Sequence, residues 1–263
     1  MRTHRCQRAL HFLIALALVP VFAADGAEPP PPAGENTAAE SPSKQEREQN
    51  VRQKEHDRKV FRVIEEDPGL PRVLLIGDSI SVGYTLPVRK LLEGKANLLR
   101  IPVNGGPTSR GLESLSEWLG TKKWDVIHFN WGLHDIKRLK DGKVDVSGDW
   151  QVPAEQYAQN LETLAATLEA TGAKLIWAST TPVPEGAGGR VPGDEIKANA
   201  IAEKVMKKHG IPRDDLRAHV LPHLGQYQQP ANVHFTSRGY EYLAKQVAQT
   251  ILETLEASGP ANR

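Results

Sequence analysis

From Arg72 to Ile76 the chain runs Arg-Val-Leu-Leu-Ile without polar alternation, then breaks at Gly77-Asp78-Ser79. An unbroken branched run of this kind predicts a strand covered on both faces, as in a parallel sheet between helices. Tyr84 to Leu92 then carries apolar residues three and four apart and predicts a helix. The alternation repeats. Ala96–Ile101 predicts a second strand, and Ser109 is placed to cap a helix with Leu112, Leu115, Trp118 and Leu119 on one face. Trp124–Asn130 predicts a third strand. Pro153–Thr171 predicts a helix with Tyr157, Leu161, Leu164 and Leu168 on one stripe and Gly172 as its stop. Lys174–Ser179 predicts a fourth strand, Asp194–His209 a helix ended by Gly210, and Thr236 onward a closing helix through Tyr240, Leu243, Val247 and Ile251. Ile211–Gln229 predicts only a short extended segment and a broken helix. Strands alternating with helices make a three-layer α/β domain with a mostly parallel central sheet. Flavodoxin-like and dinucleotide-binding strand orders both fit that pattern.

Two connections stand out. Ile136–Val152, with Gly142, Gly148 and several charges, is long for a compact domain and predicts a functional or mobile loop. The glycine-rich Glu185–Gly193 predicts a rim or lid.

The periodicity is absent from the N-terminal part. Met1–Arg8 is positively charged, Ala9–Ala23 is almost wholly apolar, and Val21-Phe22-Ala23 precedes Ala24, the pattern of a signal peptide over residues 1–24. The apolar run of fifteen residues is shorter than the roughly twenty needed to span a bilayer, so no stable membrane span is expected after cleavage. An uncleaved anchor is the alternative. Residues 25–59 are rich in Pro, Ala and Glu and then in charge, and predict a disordered linker; within it, Lys44–Lys59 could form a solvated helix with hardly any apolar face. The folded domain is expected over residues 60–263, secreted or periplasmic.

Composition narrows the chemistry. The chain has 263 residues, a formal charge of +1 and one cysteine, Cys6, ahead of the apolar run. No basic stripe points to nucleic acid. Without Cys6 the mature chain has no disulfide, cysteine nucleophile or thiolate metal site. His219 and His223 lie four apart without an accompanying carboxylate motif, so no metal and no cofactor are expected. His128, inside a strand, reads as a hydrogen-bonded core histidine. Trp131, Trp150, Trp177 and Tyr227 read as core or rim, with a sugar-stacking wall as the alternative.

Polar residues gather at predicted strand ends, where open α/β sheets bind ligands. Asp78 and Ser79 fit there either as a helix cap or as chemistry. The segments Gly77-Asp78-Ser79-Ile80, Asn104-Gly105-Gly106-Pro107-Thr108, Gly132-Leu133-His134-Asp135 and Val233-His234-Phe235-Thr236 follow one another in the chain. In this order they resemble the conserved blocks of the SGNH (GDSL-type) hydrolases over about Leu70–Leu255. The resemblance implies a three-layer, flavodoxin-like SGNH-hydrolase fold and a serine esterase. Ser79 would be the nucleophile and His234 its base. The oxyanion donors would be the Ser79 and Gly106 backbone N–H groups, with Gly105 as fallback, and the His134 side chain, which stands where the family has asparagine. The family acid three residues before the histidine is replaced by Ala231. A Ser–His dyad oriented by a backbone carbonyl near Ala231, or an orienting Asn232 or distant acid, would remain. Asp78 and Asp135 are expected to hold the turns of their blocks through backbone N–H groups. Arg110 could face an anionic substrate, though an exposed arginine is the default. The expected partner is a small-molecule or glycan ester, plausibly an acetyl ester. The rival readings are a noncatalytic glycan- or lipid-binding module and a lipase or thioesterase.

Overall fold

A computed structural model of the protein describes residues 44–257, except the side chains of residues 44–50 and 53. The expected signal peptide, Cys6 and the linker up to residue 43 lie outside the described residues.

Five strands form one parallel sheet: β1 (Arg72–Ile76), β2 (Asn97–Arg100), β3 (Val126–Phe129), β7 (Lys174–Ala178) and β8 (Arg213–Asp214), in the order β2-β1-β3-β7-β8. Counting only the sheet's own strands, this is 2-1-3-4-5, so the flavodoxin-like alternative is the one adopted. The central strands are fully covered; Val73, Leu75, Ile76, Val126, Ile127, Phe129 and Ile176 are all 0% exposed, which their uninterrupted apolar runs require.

Two groups of helices sandwich the sheet. One consists of α1 (Lys44–Phe61), α2 (Ser79–Leu91), the short α6 (Leu216–Val220) and α7 (Leu224–Tyr227), and α8 (Ser237–Glu256). The other is α3 (Thr108–Leu119), α4 (Ala154–Glu169) and α5 (Asp194–Lys208). The long 136–152 connection is not an open loop. It folds into a small antiparallel sheet of β4 (Arg138–Lys140), β5 (Lys143–Val144) and β6 (Asp149–Trp150), held from outside by Arg138 Nη2 on the buried Asp194 at 2.7 Å.

Several boundaries differ from the sequence expectation. The first helix of the domain core starts at Ser79 rather than Tyr84, because Asp78 Oδ1 accepts from Ile80 N at 2.9 Å and caps it there. Ser109 caps nothing; α3 starts one residue earlier behind Pro107, with no side-chain cap of its own. The charged part of the expected linker is helical from Lys44, and its end docks on the domain. Val60 is fully buried, Arg89 Nη1 donates to Lys59 O at 3.0 Å, and the Phe61 ring lies 5.0 Å from the Arg100 guanidinium. These contacts supply the apolar anchorage that the run from 44 to 59 lacks.

Candidate active site

The site begins at the tip of β1. Burial continues through Gly77 and Asp78, which turn the chain, and the half-buried Ser79 is the first residue of α2. Its backbone N–H is one of the orphan donors of the helix start and has no acceptor among the described residues. Beneath the turn lies Arg100, 9% exposed. It donates to Thr85 Oγ1 at 3.0 Å, Ser81 Oγ at 3.3 Å, Val103 O at 3.1 Å and Gly77 O at 3.4 Å, joining β2, the loop after it and the first turns of α2.

The opposite partner arrives from the far end of the chain. The segment 227–236 closes on itself through the Gln228–Phe235 bridge, and Thr236 caps α8 by accepting from Gly239 N at 3.1 Å. His234 therefore sits rigidly before a helix, with Nε2 2.9 Å from Ser79 Oγ, across 155 positions of sequence. Its Nδ1 lies 2.7 Å from Asn232 Oδ1. Of the alternatives for orienting the ring, the structure has Asn232; the Ala231 carbonyl does not hold Nδ1. Ala231 instead takes φ +51°, a left-handed turn that brings Asn232 under the ring.

The hydrogen-bond chain determines which nitrogen carries the proton. Phe235 O can only accept, so Gln229 Nε2 donates to it at 3.0 Å; Gln229 Oε1 then accepts from Asn232 Nδ2 at 3.4 Å. Asn232 Oδ1 also accepts the His234 backbone N–H at 3.0 Å. Its oxygen thus faces Nδ1, which must be the donor, leaving the Nε2 lone pair for the Ser79 hydroxyl. Burial lowers the His234 pKa below its ordinary value; Asp78 opposes this and Arg190 adds to it. The ring is neutral near pH 7, as a base requires.

The glycine block packs tightly on this turn. Gly105 N donates to Gly77 O at 2.9 Å, and a Cβ on Gly105 would stand 2.9 Å from that same oxygen, so no larger residue fits. Gly105's donor is therefore spent. Gly106, at φ +62°, donates its N–H to Asn104 Oδ1 at 2.9 Å. His134 is half-buried, and its side chain makes no hydrogen bond among the described residues. Burial lowers its pKa, which Asp78 opposes and Arg190, Lys137 and Arg110 reinforce. It is thus a neutral ring with an uncommitted N–H.

The two aspartates do different jobs. Asp78 Oδ1 accepts from Ile80 N at 2.9 Å within its own turn. Asp135 reaches out of its block: Oδ1 accepts from Thr108 N at 2.8 Å and Thr108 Oγ1 at 2.6 Å, so the cap missing from α3 is supplied by the turn that follows β3. Asn160 Nδ2 in turn donates to Thr108 Oγ1 at 2.9 Å. Asp135 Oδ2 is buried without a partner, and burial pushes the carboxyl up to about 7.

Other candidates fall away from the serine. His128 and Asp214 are both fully buried, joined at 2.9 Å between β3 and β8. His219 stacks on Tyr242 with ring centroids 4.2 Å apart, while His223 meets the same ring edge-on. Trp131 and Trp177 are buried in the core and cannot stack on a sugar. Trp150 is tied to Asp194 at 2.9 Å.

Ser79 and His234 open onto a groove of about 900 Å³. Its far wall includes Arg52 and His56 of α1. It also includes Gly83, where a Cβ would lie 2.1 Å from the Tyr240 ring. Nothing in a charge-dense run announces which site it will border; only the docking of Val60 and Phe61 decides it.

No protein-family model and no curated relative matches the chain. Solved structures do. A lipase/acylhydrolase from Enterococcus faecalis aligns at TM-score 0.59 and 19% identity, covering 70% of this chain and 96% of its own. Axe2, an acetylxylan esterase from Geobacillus stearothermophilus, aligns at 0.57 and 16%, covering 70% and 94%. A GDSL-like lipase from Bacteroides thetaiotaomicron aligns at 0.55 and 17%, covering 78% and 97%. The likeness is one of fold, and it spans nearly the whole of each of those chains. With the 2-1-3-4-5 parallel sheet and the resemblance in sequence blocks, it gives this chain the SGNH (GDSL-type) hydrolase fold.

Proposed function

We propose that the protein is a serine esterase that removes a small acyl group, an acetyl, from a carbohydrate ester outside the cytoplasm. The observation that carries this reading is the Asn232–His234–Ser79 relay, 2.7 Å and 2.9 Å, with its tautomer set by Gln229 and Phe235. In it, His234 Nε2 takes the hydroxyl proton as Ser79 Oγ bonds to the acyl carbon. The tetrahedral oxyanion is met by Ser79 N–H and by His134; Gly106 N–H joins when Asn104 Oδ1 yields it. Collapse breaks the bond to the alcohol, which leaves with the proton from His234. Water then attacks the acyl-serine with His234 again as base, releasing acid and free enzyme. Asn232 has no charge to set against the imidazolium that forms. The nearby Asp78 opposes the lowering of the His234 pKa by burial and so favours that cation. The esterase names of the structural neighbours support the ester class, and the basic then apolar N-terminus supports export.

A fluorophosphonate probe tests the reading directly. Covalent labelling at Ser79, abolished by Ser79→Ala, is the expected result. An unlabelled wild-type serine across about pH 6 to 9 would favour the noncatalytic binding module, since only an activated hydroxyl reacts.

A further inference from the structure

Three cations stand around the His134 turn, and none of them is ion-paired with a carboxylate among the described residues. Arg110, in the first turn of α3, lies over the glycine block, its Cδ 3.1 Å from where a Cβ on Gly106 would stand. It makes no hydrogen bond or ion pair among the described residues. Arg190 is held by neutral carbonyls, Nε to Leu133 O at 2.7 Å and Nη1 to Gly188 O at 3.3 Å. Lys137 follows one turn after His134, its N–H on His134 O at 3.3 Å. By contrast, the adjacent Arg138 is paired with Asp194, and Arg217 meets Glu195 at 3.1 Å. Asp78, the anion whose charge reaches both histidines and Arg190, is 2% exposed and committed to capping α2, so it offers no ion pair to the exposed Arg110. The cations act together on His134, each holding its pKa down.

Like charges gathered around one turn repel one another unless charge of opposite sign compensates, and a ligand can supply it. An acylated neutral sugar would offer them nothing. Building on the esterase reading, we propose that the ester hydrolysed at Ser79 carries a carboxylate next to the scissile bond, gripped by Arg110 with Arg190 as a fixed second charge. Arg110 keeps its whole guanidinium fork free, the geometry that matches a carboxylate in two parallel bonds. Arg190 is pre-oriented by its two carbonyls, so little side-chain freedom is lost on binding.

The test compares 4-nitrophenyl acetate with its ring-carboxylated counterpart on the full chain, each rate normalised to that ester's hydroxide hydrolysis. The expected kcat/KM preference for the carboxylated ester is about tenfold or more at low salt. It should fall toward unity in about 0.5 M NaCl, where exposed charges are screened. Arg110→Gln should collapse the preference to within about twofold. A wild-type preference near unity, a preference indifferent to salt, or one that survives in Arg110→Gln would each overturn the proposal. Hydrolysis of neither ester is a separate result that removes the esterase reading and this inference with it. The salt titration needs only the wild-type protein, so the outcome does not depend on how the variant folds.

Discussion

Asn232 Oδ1 stands 2.7 Å from His234 Nδ1, so a neutral amide occupies the position from which a carboxylate would orient a catalytic histidine. The amide supplies orientation and tautomer without charge. These two contributions can be separated by substitution.

Asn232→Ala removes the orienting oxygen and should lower kcat about 10- to 1000-fold while the protein stays folded, bounded by the larger loss when a triad carboxylate is replaced and the tautomer reversed. Asn232→Asp adds negative charge at the same point and should raise the His234 pKa. The acid limb of kcat/KM follows the free base and should lie below the ordinary histidine value in the wild type, because burial lowers that pKa. It should move upward in Asn232→Asp. An acid limb that stays in place would show that Asn232 does not govern the ring.

His134 separates an oxyanion donor from a packing residue. His134→Asn keeps an N–H donor of the family type and should retain activity within about tenfold. His134→Ala should lose about 100- to 1000-fold in kcat with little change in KM. Equal losses in the two variants, or a change confined to KM, would remove His134 from the oxyanion site.

Asp135 makes stability depend on pH. Its folded carboxyl is raised to about 7 by burial, against an ordinary 3.8, while the bonds from Thr108 pull it down. Between those values the folded chain holds the proton more tightly than the unfolded chain, so stability falls as pH climbs through this window and levels off above it. Asp135→Asn keeps an oxygen for Thr108 and has nothing to ionise. Its Tm relative to wild type should rise between about pH 4.5 and pH 8. A constant difference would contradict the buried-carboxyl account.

His209 joins α4 to the end of α5, with Nε2 2.9 Å from Glu162 and Nδ1 2.8 Å from Glu169. Its burial lowers the pKa, but the bonds to Glu162 and Glu169 outweigh it and the pKa is raised. The stabilisation is therefore complete below the unfolded value and is lost as pH rises through the folded one. His209→Gln should flatten the decline in Tm above about pH 6.5. An unchanged decline would place the pH dependence elsewhere.

Much of the scaffold was legible because the physics behind it is local. An unbroken Val73–Ile76 run has to be covered on both faces, and the stripe Tyr157, Leu161, Leu164, Leu168 has to face a core; both are buried as their spacing demands. Cap geometry was less legible. The amide of Thr108 is satisfied by Asp135 in the turn after β3, a partner no local pattern reveals, whereas local spacing points to Ser109. The 136–152 segment read as an open loop because strands of two or three residues carry no periodicity.

The sequence by itself determined the layered α/β order, the serine at a strand tip and the histidine before the last helix, since each follows from residues near one another in the chain. Tertiary structure alone decided that Asn232, through the left-handed turn at Ala231, holds the histidine. It also decided that α1 brings Arg52 and His56 to the groove, and that Arg110 and Arg190 stand around His134 with neither ion-paired to a carboxylate. Those relations join residues far apart in the chain, and only closing the sheet brings them together.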